Sequence, residues 1–421
     1  MKIKLSALFF IALIICGLAS CDAVKSAGKA MLRRGHVKAA KVDTGLPVIK
    51  ITTKSGAAVT SKDDYITAGI EIIDPLDSGS DIKTEVDIRG RGNTSWNSPK
   101  KSYRIKFPQK TALFGYTPAK SWVLLANYQD TTLILNSSAF ELGSRFNVPF
   151  TPHYTHVELF LNGVYDGSYV LTEQIQTGKG RVDIDKDGFL VEIDSHYDEE
   201  PKFQTPILEM PVMIKHPEDL PGDSGYDFVK NAVNELETAL FSDPFPNTHY
   251  LDLINIDVFV DYIMINEITR NADIQLPHSV YLYKDGKKDS RICLGPLWDF
   301  DYGFDYSNTG GRFWSKRYFN DATGMYYTTT FRNGQGQRFF ARFFEDPVFR
   351  EKYKKRWNEK YGDIAGMEEF FDQTAAMLEA SQKLNSRVWW WKRVNYKKEI
   401  ERMKAWWKKR VEYLNDEINR F

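Results

Sequence analysis

Apolar and polar residues alternate along short segments of the first half of the chain, a pattern that is typical of half-buried β-strands. The clearest example runs from Pro47 to Thr53. Asn162-Gly163 lies between two such segments and predicts a hairpin turn, because both residues readily adopt positive φ angles. The alternation predicts further strands at 66–73, 85–89, 103–107, 156–161, 168–174 and 188–193, and the apolar run 121–126 predicts a buried strand.

Helical periodicity dominates the second half of the chain. One earlier helix is predicted at 133–146, with Asp130 placed to cap its first turn. Residues 195–225 are rich in Pro, Asp and Glu and are predicted to be an irregular insertion. This order predicts an α+β protein of two lobes, a β-rich lobe at about 46–178 and a mainly helical lobe at about 179–421. The other predicted elements are helices at 226–241, at 257–270 and from 337 onward, and a short strand pair at 280–284 and 292–297.

The first 21 residues have the features of an export signal. Lys2 and Lys4 precede an apolar run at 5–18 that is too short to span a membrane comfortably, and Leu18-Ala19-Ser20 precedes Cys21. Small residues before a cysteine resemble the lipobox of bacterial lipoproteins, in which the cysteine thiol is lipidated. We therefore expect a signal peptide at 1–20, a lipidated flexible tether at 21–45 and a location in the cell envelope, at the outer membrane or cell surface. An ordinary secretory signal or a membrane anchor is the alternative.

Composition restricts the class of protein. The 421 residues are 42% hydrophobic and 14% aromatic, which suffices for a large core. Lys+Arg and Asp+Glu are equal at 56 each, and because nucleic-acid binders usually have a basic excess we expect no such partner. Three cysteines exclude a disulfide scaffold and a four-cysteine zinc site. The scattered histidines, with His153 and His156 the closest pair, lack a zinc-binding spacing and are predicted to be structural. The tryptophans at 389–391 and 406–407 are predicted to pack onto the helical lobe.

A glycine-containing loop follows the predicted strand at 85–89. Backbone amides in such a loop can face phosphate oxygens, and arginine side chains can add charged donors. A tight turn without a ligand is the alternative. The residues predicted to bind a nucleotide here are Arg89, Gly90, Arg91, Gly92 and Asn93.

The next strand has a basic face. With alternation, the apolar residues at 103, 105 and 107 share one face, while Ser102, Arg104 and Lys106 share the other. A lysine on the strand after a glycine loop is the arrangement by which protein kinases hold nucleotide phosphates. Surface basic residues on an edge strand are the alternative.

Two further segments carry acidic residues that could take part in chemistry. The segment Asn271-Ala272-Asp273 comes directly after a predicted helix, where Asn and Asp often act as capping groups. Asp299 and Asp301 follow a short apolar strand, and in an extended segment both side chains would point to the same face. Two carboxylates on the same face repel each other, and a bound divalent cation is the usual reason for a protein to tolerate that repulsion. A polar turn flanked by aromatic residues is the alternative.

Together these segments resemble the spore-coat protein H (CotH) kinase family. The resemblance extends from about residue 46 to at least residue 360, and its most specific motif runs from Gly295 to Asp301. The other matching segments occur in the same order and are 89–93 with 99–106, 122–127, the hairpin segments 161–165 and 171–174, and Asn271-Ala272-Asp273.

The resemblance implies a distant, atypical protein-kinase-like fold and an activity. Members use ATP and Mg²⁺ or Mn²⁺ to phosphorylate proteins, so the partners would be ATP and an unknown acceptor protein with Ser, Thr or Tyr hydroxyls, exported or on the surface. It implies Asp273 as the catalytic aspartate, and Asp299 and Asp301 as the metal ligands.

The resemblance also implies residues that hold the nucleotide. Lys106, with Lys101 as the fallback, would bind phosphate, and Glu141 on the helix at 133–146 would orient it. The segment 172–174, which contains Glu173, would hold adenine through backbone groups.

Two other classes of function stay open. One is a kinase-like surface lipoprotein without catalysis that binds protein or carbohydrate, since ATP is scarce outside the cytoplasm. The other is a glycoside hydrolase, for which Asp299 and Asp301 are too close in sequence to flank a sugar.

Overall fold

The computed structural model of the chain describes residues 42–77, 79, 81–218, 222–305, 307–308, 316–327, 334–389 and 394–421. The expected signal peptide, Cys21 and most of the tether lie outside these residues, as do Trp390 and Trp391. Within the described residues, no helix has both the length and the apolar character that a membrane span requires.

Seven strands form a closed barrel in the first part of the chain. They are β1 (Val48–Thr53), β2 (Ile66–Ile73), β3 (Ile82–Arg91), β4 (Ser102–Thr111), β5 (Ala119–Leu125), β6 (Tyr154–Leu161) and β7 (Val164–Glu173). Their order is β1-β2-β3-β4-β5-β7-β6. The parallel pairing of β1 with β6, in which Val48 lies opposite Glu158, closes the barrel. Because side chains alternate along each strand, apolar residues such as Ile51, Ile105 and Leu171 fill its interior.

A second sheet has the strand order β12-β11-β8-β10-β9. The central strand β8 pairs antiparallel with both β10 and β11. The strands are β8 (Phe189–Ile193), β9 (Lys202–Gln204), β10 (Pro211–His216), β11 (Val280–Lys284) and β12 (Cys293–Leu294), and a separate pair is β13 (Ser307–Asn308) with β14 (Lys316–Arg317).

Helices share one large core with the second sheet. Helix α4 lies inside this core, because every residue from Val258 to Ile268 is buried. Trp406 and Trp407 are also buried in this core, which confirms for these two the predicted packing of the tryptophan-rich tail. Trp389 is buried as well, but it packs against Phe160 and Tyr165 of the barrel strands β6 and β7. The helices are α1 (Leu135–Phe146), α2 (Gly222–Phe241), α3 (His249–Leu253), α4 (Ile256–Ile268), α5 (Gln335–Phe343), α6 (Pro347–Ala365), α7 (Met367–Trp389) and α8 (Tyr396–Ile418).

A buried lysine joins the barrel to α7. The Lys100 ammonium donates to the Asn385 Oδ1 atom at 3.0 Å, to the Ala126 carbonyl at 2.8 Å and to the Ser168 carbonyl. It also lies 4.2 Å from the centre of the Tyr169 ring. Since a buried charge requires such partners, Lys100 fixes the barrel against the C-terminal helices.

The mixed α+β architecture predicted from the sequence is confirmed, with a β-rich region first and a mainly helical C-terminal part. The closed barrel is not part of that prediction, and it is not a kinase-like lobe. The prediction of an irregular insertion at 195–225 is wrong for β9 and β10. Pairing with β8 supplies the backbone hydrogen bonds of β10, so tertiary context overrides a turn-forming composition.

Candidate functional site

A cleft of about 750 Å³ lies between the outer face of β3 and β4 and the second sheet. Its volume is within the range of sites for small molecules and cofactors. One wall is basic, the opposite wall carries carboxylates and histidines, and the segment 298–302 contributes a third side. Sequence-predicted residues that line this cleft are Arg89, Arg91, Gly92, Asn93, Asp273, Asp299 and Asp301.

The basic wall comes from neighbouring positions on β3 and β4. Arg89 lies directly opposite Arg104, and Arg91 lies opposite Ser102. The guanidinium carbon of Arg91 is 5.2 Å from the centre of the Trp298 ring. Burial lowers the pKa of Arg104, and the charges of Arg89 and Arg91 lower it further. Three arginines that repel one another along one wall form a place suited to an anionic ligand.

Packing and backbone conformation explain why glycine occupies positions 90 and 92 of the loop that follows β3. A side chain at Gly90 would overlap the Trp96 ring, which packs against β3 at this point. Gly92 has φ of +88°, a conformation that favours glycine, and it lines the cleft, whereas Gly90 does not. The Asn93 Oδ1 atom accepts a hydrogen bond of 2.6 Å from Lys62.

Asp299 and Asp301 lie in a turn, which we call the acidic turn. Asp299 has φ of 56° and is followed by turn residues. The expectation of an extended segment is therefore wrong, although both residues line the same cleft. The backbone N–H of Asp301 donates to the Asp299 carboxylate. Burial raises the pKa of Asp299, while the charge of Arg91 opposes that rise.

Asn136 in the first turn of α1 holds this turn in place, and sequence reasoning missed it. Its Nδ2 atom donates to Asp301 Oδ1 at 2.7 Å, and its Oδ1 atom accepts from the Phe300 N–H at 2.8 Å. The side chain is buried and also contacts Asn127. Asp130 contributes indirectly, since its Oδ2 atom accepts from Leu135 N at 2.9 Å where α1 begins. The α1 start therefore fixes the acidic turn.

Asp273 lies in a short 3₁₀ turn after α4. Its backbone N–H donates to Asn271 Oδ1 at 3.2 Å, which is the capping role expected for an Asn in this position. Asn271 Nδ2 also donates to the Asp299 carbonyl at 3.3 Å. The Asp273 carbonyl accepts from His278 N at 3.0 Å. The segment with Asp273 is thus tied directly to the acidic turn.

The opposite wall contains a cluster that the sequence did not predict. Asp194 follows β8 directly and is buried, and its Oδ1 atom lies 2.7 Å from His196 Nδ1 and 3.3 Å from His278 Nδ1. Its Oδ2 atom accepts from Ser279 N at 2.9 Å. Burial alone would raise the pKa of Asp194, but these hydrogen bonds lower it to about 2. Because 82 positions separate the histidines, no local spacing could reveal the cluster.

Lys106, Lys101 and Glu141 do not line this cleft. Lys106 is exposed, with its ammonium 5.8 Å from the centre of the Tyr65 ring. Lys101 donates to the Trp96 carbonyl and lies over the Trp96 ring. Glu141 pairs with Arg145 at 2.7 Å, and no ion pair joins it to Lys106, both being described residues. The predicted pairing of Lys106 with Glu141 is therefore corrected, because β4 and α1 direct these side chains to different surfaces.

Glu173 also faces a different pocket, which has a volume of about 540 Å³. Its carboxylate accepts from Arg181 Nη1 at 2.5 Å and from His153 N at 3.0 Å. Gln174, the next residue, lines the main cleft. The end of β7 thus borders the cleft through the residues that follow Glu173, while the Glu173 side chain does not reach it.

Comparison with known proteins identifies the family. The family model described as CotH kinase protein matches residues 88–414, which extend from β3 into α8 and include nearly the whole cleft. No curated protein matches the chain. A match over most of the chain that contains both the basic wall and the acidic turn shows that this protein belongs to the CotH kinase family.

Proposed function

We propose that this protein transfers the γ-phosphoryl group of ATP, with Mg²⁺ or Mn²⁺, to Ser, Thr or Tyr hydroxyls of exported or surface proteins. The observation that carries the proposal is the division of one cleft into a basic wall on β3 and β4 and an acidic turn with Asp299 and Asp301. Phosphoryl transfer requires these two environments side by side, one for phosphate oxygens and one for a metal.

The side chains that line the cleft fit a nucleotide phosphate and a divalent metal ion. Guanidinium groups bind phosphate oxygens with paired, charge-assisted hydrogen bonds, and the wall has three of them at Arg89, Arg91 and Arg104. Carboxylate oxygens are the ligands that Mg²⁺ prefers, and Asp299 and Asp301 offer them next to that wall. We therefore assign phosphate binding to the arginines in place of Lys106.

We assign to Asp273 the role of the general base. Its carboxylate would orient the acceptor hydroxyl and accept its proton, while Asn136 holds Asp301 at the correct position for the metal. When bound, the metal neutralises negative charge on the phosphates. The basic wall comes from the barrel strands β3 and β4, and the acidic turn comes from the segment after β12, so the two environments belong to different parts of the chain.

The expected lipid anchor at Cys21 supports the choice of acceptor. The tether expected at 21–45 would keep the enzyme at a membrane surface, where exported proteins are its neighbours.

The test is transfer of labelled phosphate from ATP to the protein itself or to a generic acceptor, with Mg²⁺ and with Mn²⁺. Asp273→Asn and Asp299→Asn should each lower the rate by at least about 100-fold, since each removes a group used in the transition state. Asp372→Asn, which changes an exposed carboxylate on α7 that pairs with Lys404, is the matched control and should keep the rate.

Thermal unfolding of each variant shows whether the fold is kept. A folded wild-type protein that neither binds Mg·ATP nor transfers phosphate would contradict the proposal. That outcome would favour the non-catalytic alternative, a surface module that binds protein or carbohydrate.

A further inference from the structure

The cluster of Asp194, His196 and His278 lies in the loops at the ends of two paired strands, β8 and β11. Val280 of β11 lies opposite Ile193 of β8, so the residues next to them in sequence, His278-Ser279 and Asp194, are neighbours across the same sheet edge. The chain turns sharply after Asp194, with Tyr197 N donating to the Asp194 carbonyl at 3.1 Å, and this turn returns His196 to the same point. The cluster is therefore brought together by the pairing of β8 with β11 and by the turn that follows Asp194.

The ligand atoms are already close to the separation that a metal requires. For bonds of about 2.0–2.1 Å in a tetrahedral site, neighbouring ligand atoms are roughly 3.3 Å apart. The Asp194 Oδ1 atom is 3.3 Å from His278 Nδ1, and its 2.7 Å distance to His196 Nδ1 needs only a small rotation of an imidazole that is 35% exposed. The centres of the two imidazole rings are 5.0 Å apart.

We propose that Asp194, His196 and His278 form a site for a transition-metal ion, of which Zn²⁺ is the reference case. Two imidazoles and one carboxylate are a zinc-type ligand set, whereas Mg²⁺ prefers oxygen ligands. All three residues line the cleft, so a fourth position would be open to a water or a ligand there. Metal binding would displace the protons that the Nδ1 atoms share with Asp194.

The surroundings favour a cation at this point. Glu192 is buried on β8, and its charge and that of Asp299 both act on the region of Asp194. The positive charges that oppose them come from Lys215, which pairs with Glu192 at 2.8 Å, and from Arg91. The site is separate from the Asp299 and Asp301 pair and does not depend on the proposed phosphotransfer.

The experiment is a metal titration of the full chain, purified without an oligohistidine tag and treated with a chelator. Zn²⁺ binding is followed by calorimetry, and Co²⁺ binding by its visible absorption, which reports ligand type and geometry. We expect one equivalent that tenfold excess Mg²⁺ does not displace. In the His196→Asn, His278→Asn double variant, the affinity of this equivalent should fall on the order of 100-fold or more, because two of three ligands are lost.

The matched control is His249→Asn. His249 is an exposed imidazole that pairs with a single carboxylate, Glu235, at 3.3 Å, and its loss should leave the equivalent in place. Cysteine thiols that bind Zn²⁺ elsewhere in the chain would contribute equally to all variants and cancel in the comparison.

The proposal is overturned if the wild-type protein binds no Zn²⁺ or Co²⁺, or if the folded double variant binds them as tightly as the wild type. Either result would make the cluster a hydrogen-bonded group only. Asp299→Asn separates this site from the proposed function, since it should lower phosphate transfer at least about 100-fold but leave the Zn²⁺ equivalent in place, with an affinity reduced only by the loss of one neighbouring charge.

Discussion

The position of a residue along its strand decides whether its side chain reaches the cleft. The alternation in β4 places Arg104 and Lys106 on the same face, and both were visible in the sequence as basic residues. Arg104 lies opposite Arg89 and lines the cleft, whereas Lys106 lies opposite Asp87 one step beyond its edge. The face could be predicted from period-two alternation, but the edge of the cleft depends on how distant segments cover the strand.

This difference predicts unequal effects of two similar substitutions. Arg104→Met removes a charged donor from the basic wall and should weaken binding of Mg²⁺ with a non-hydrolysable ATP analogue about tenfold or more. Lys106→Met changes an exposed residue on the same face and should alter that affinity by no more than about twofold. Calorimetric titration measures both. A larger loss for Lys106→Met would return the phosphate role to the lysine.

We predict that the buried imidazole of His156 makes the stability of the folded protein depend on pH. It is buried on the outer face of β6, and neither ring nitrogen has a hydrogen-bond partner among the described residues. Burial lowers its pKa from 6.5 to about 4. The unfolded chain therefore binds a proton more readily between these values, and the stability present above pH 6.5 is lost as pH falls towards 4.

The expected loss from this one group is about 3 kcal/mol in the free energy of unfolding. His156→Leu should remove that part of the dependence, because leucine has no proton to bind. Urea unfolding of both proteins at pH 4.5 and pH 7 measures the difference. An equal pH dependence in the two proteins would mean that His156 is hydrated or paired in solution.

At the scale of elements, alternation and, for β5, a continuous apolar run located the barrel strands but not their arrangement. All seven overlap predicted segments, and the Asn162-Gly163 hairpin has positive φ at both residues. Closure depends on β1 pairing in parallel with β6, whose residues lie more than 100 positions away. The start of α1 also differs, since Leu133 has φ of 65° and the helix begins at Leu135. Local patterns specify elements, whereas non-local hydrogen bonds decide topology.

We predict that Asn136, in the first turn of α1, positions the metal ligand Asp301. Asn136→Ala removes the hydrogen bonds to Asp301 and Phe300 and should lower Mn²⁺ affinity and the transfer rate roughly 10–100-fold, the range typical of residues that support a metal ligand. Ser144→Ala, an exposed position on the same helix, is the control. Mn²⁺ affinity by electron paramagnetic resonance separates positioning from stability, since a purely structural Asn136 would leave that affinity unchanged in the folded variant.

At the scale of the whole molecule, a buried ion pair connects the C-terminal helix to the site. Arg410 of α8 and Glu267 of α4 are both fully buried, and Arg410 Nη2 donates to Glu267 Oε1 and to its carbonyl at 2.6 Å each. Arg410 Nη1 also donates to the carbonyls of Ala322 and Gly324. Glu267 is four residues before Asn271, so the last helix supports the segment that leads to Asp273.

Removing one partner of this pair should therefore destabilise the entire fold. Arg410→Met leaves the Glu267 carboxylate buried without its counter-charge and should lower the free energy of unfolding by about 3–5 kcal/mol. Arg420→Met breaks an exposed pair with Glu417 near the same chain end and should cost less than about 1 kcal/mol. The double variant Glu267→Gln, Arg410→Met should recover part of the loss, because no buried charge remains. Chemical unfolding of the four proteins measures these differences, and an equal cost for Arg410→Met and Arg420→Met would show that α8 does not hold the site through this pair.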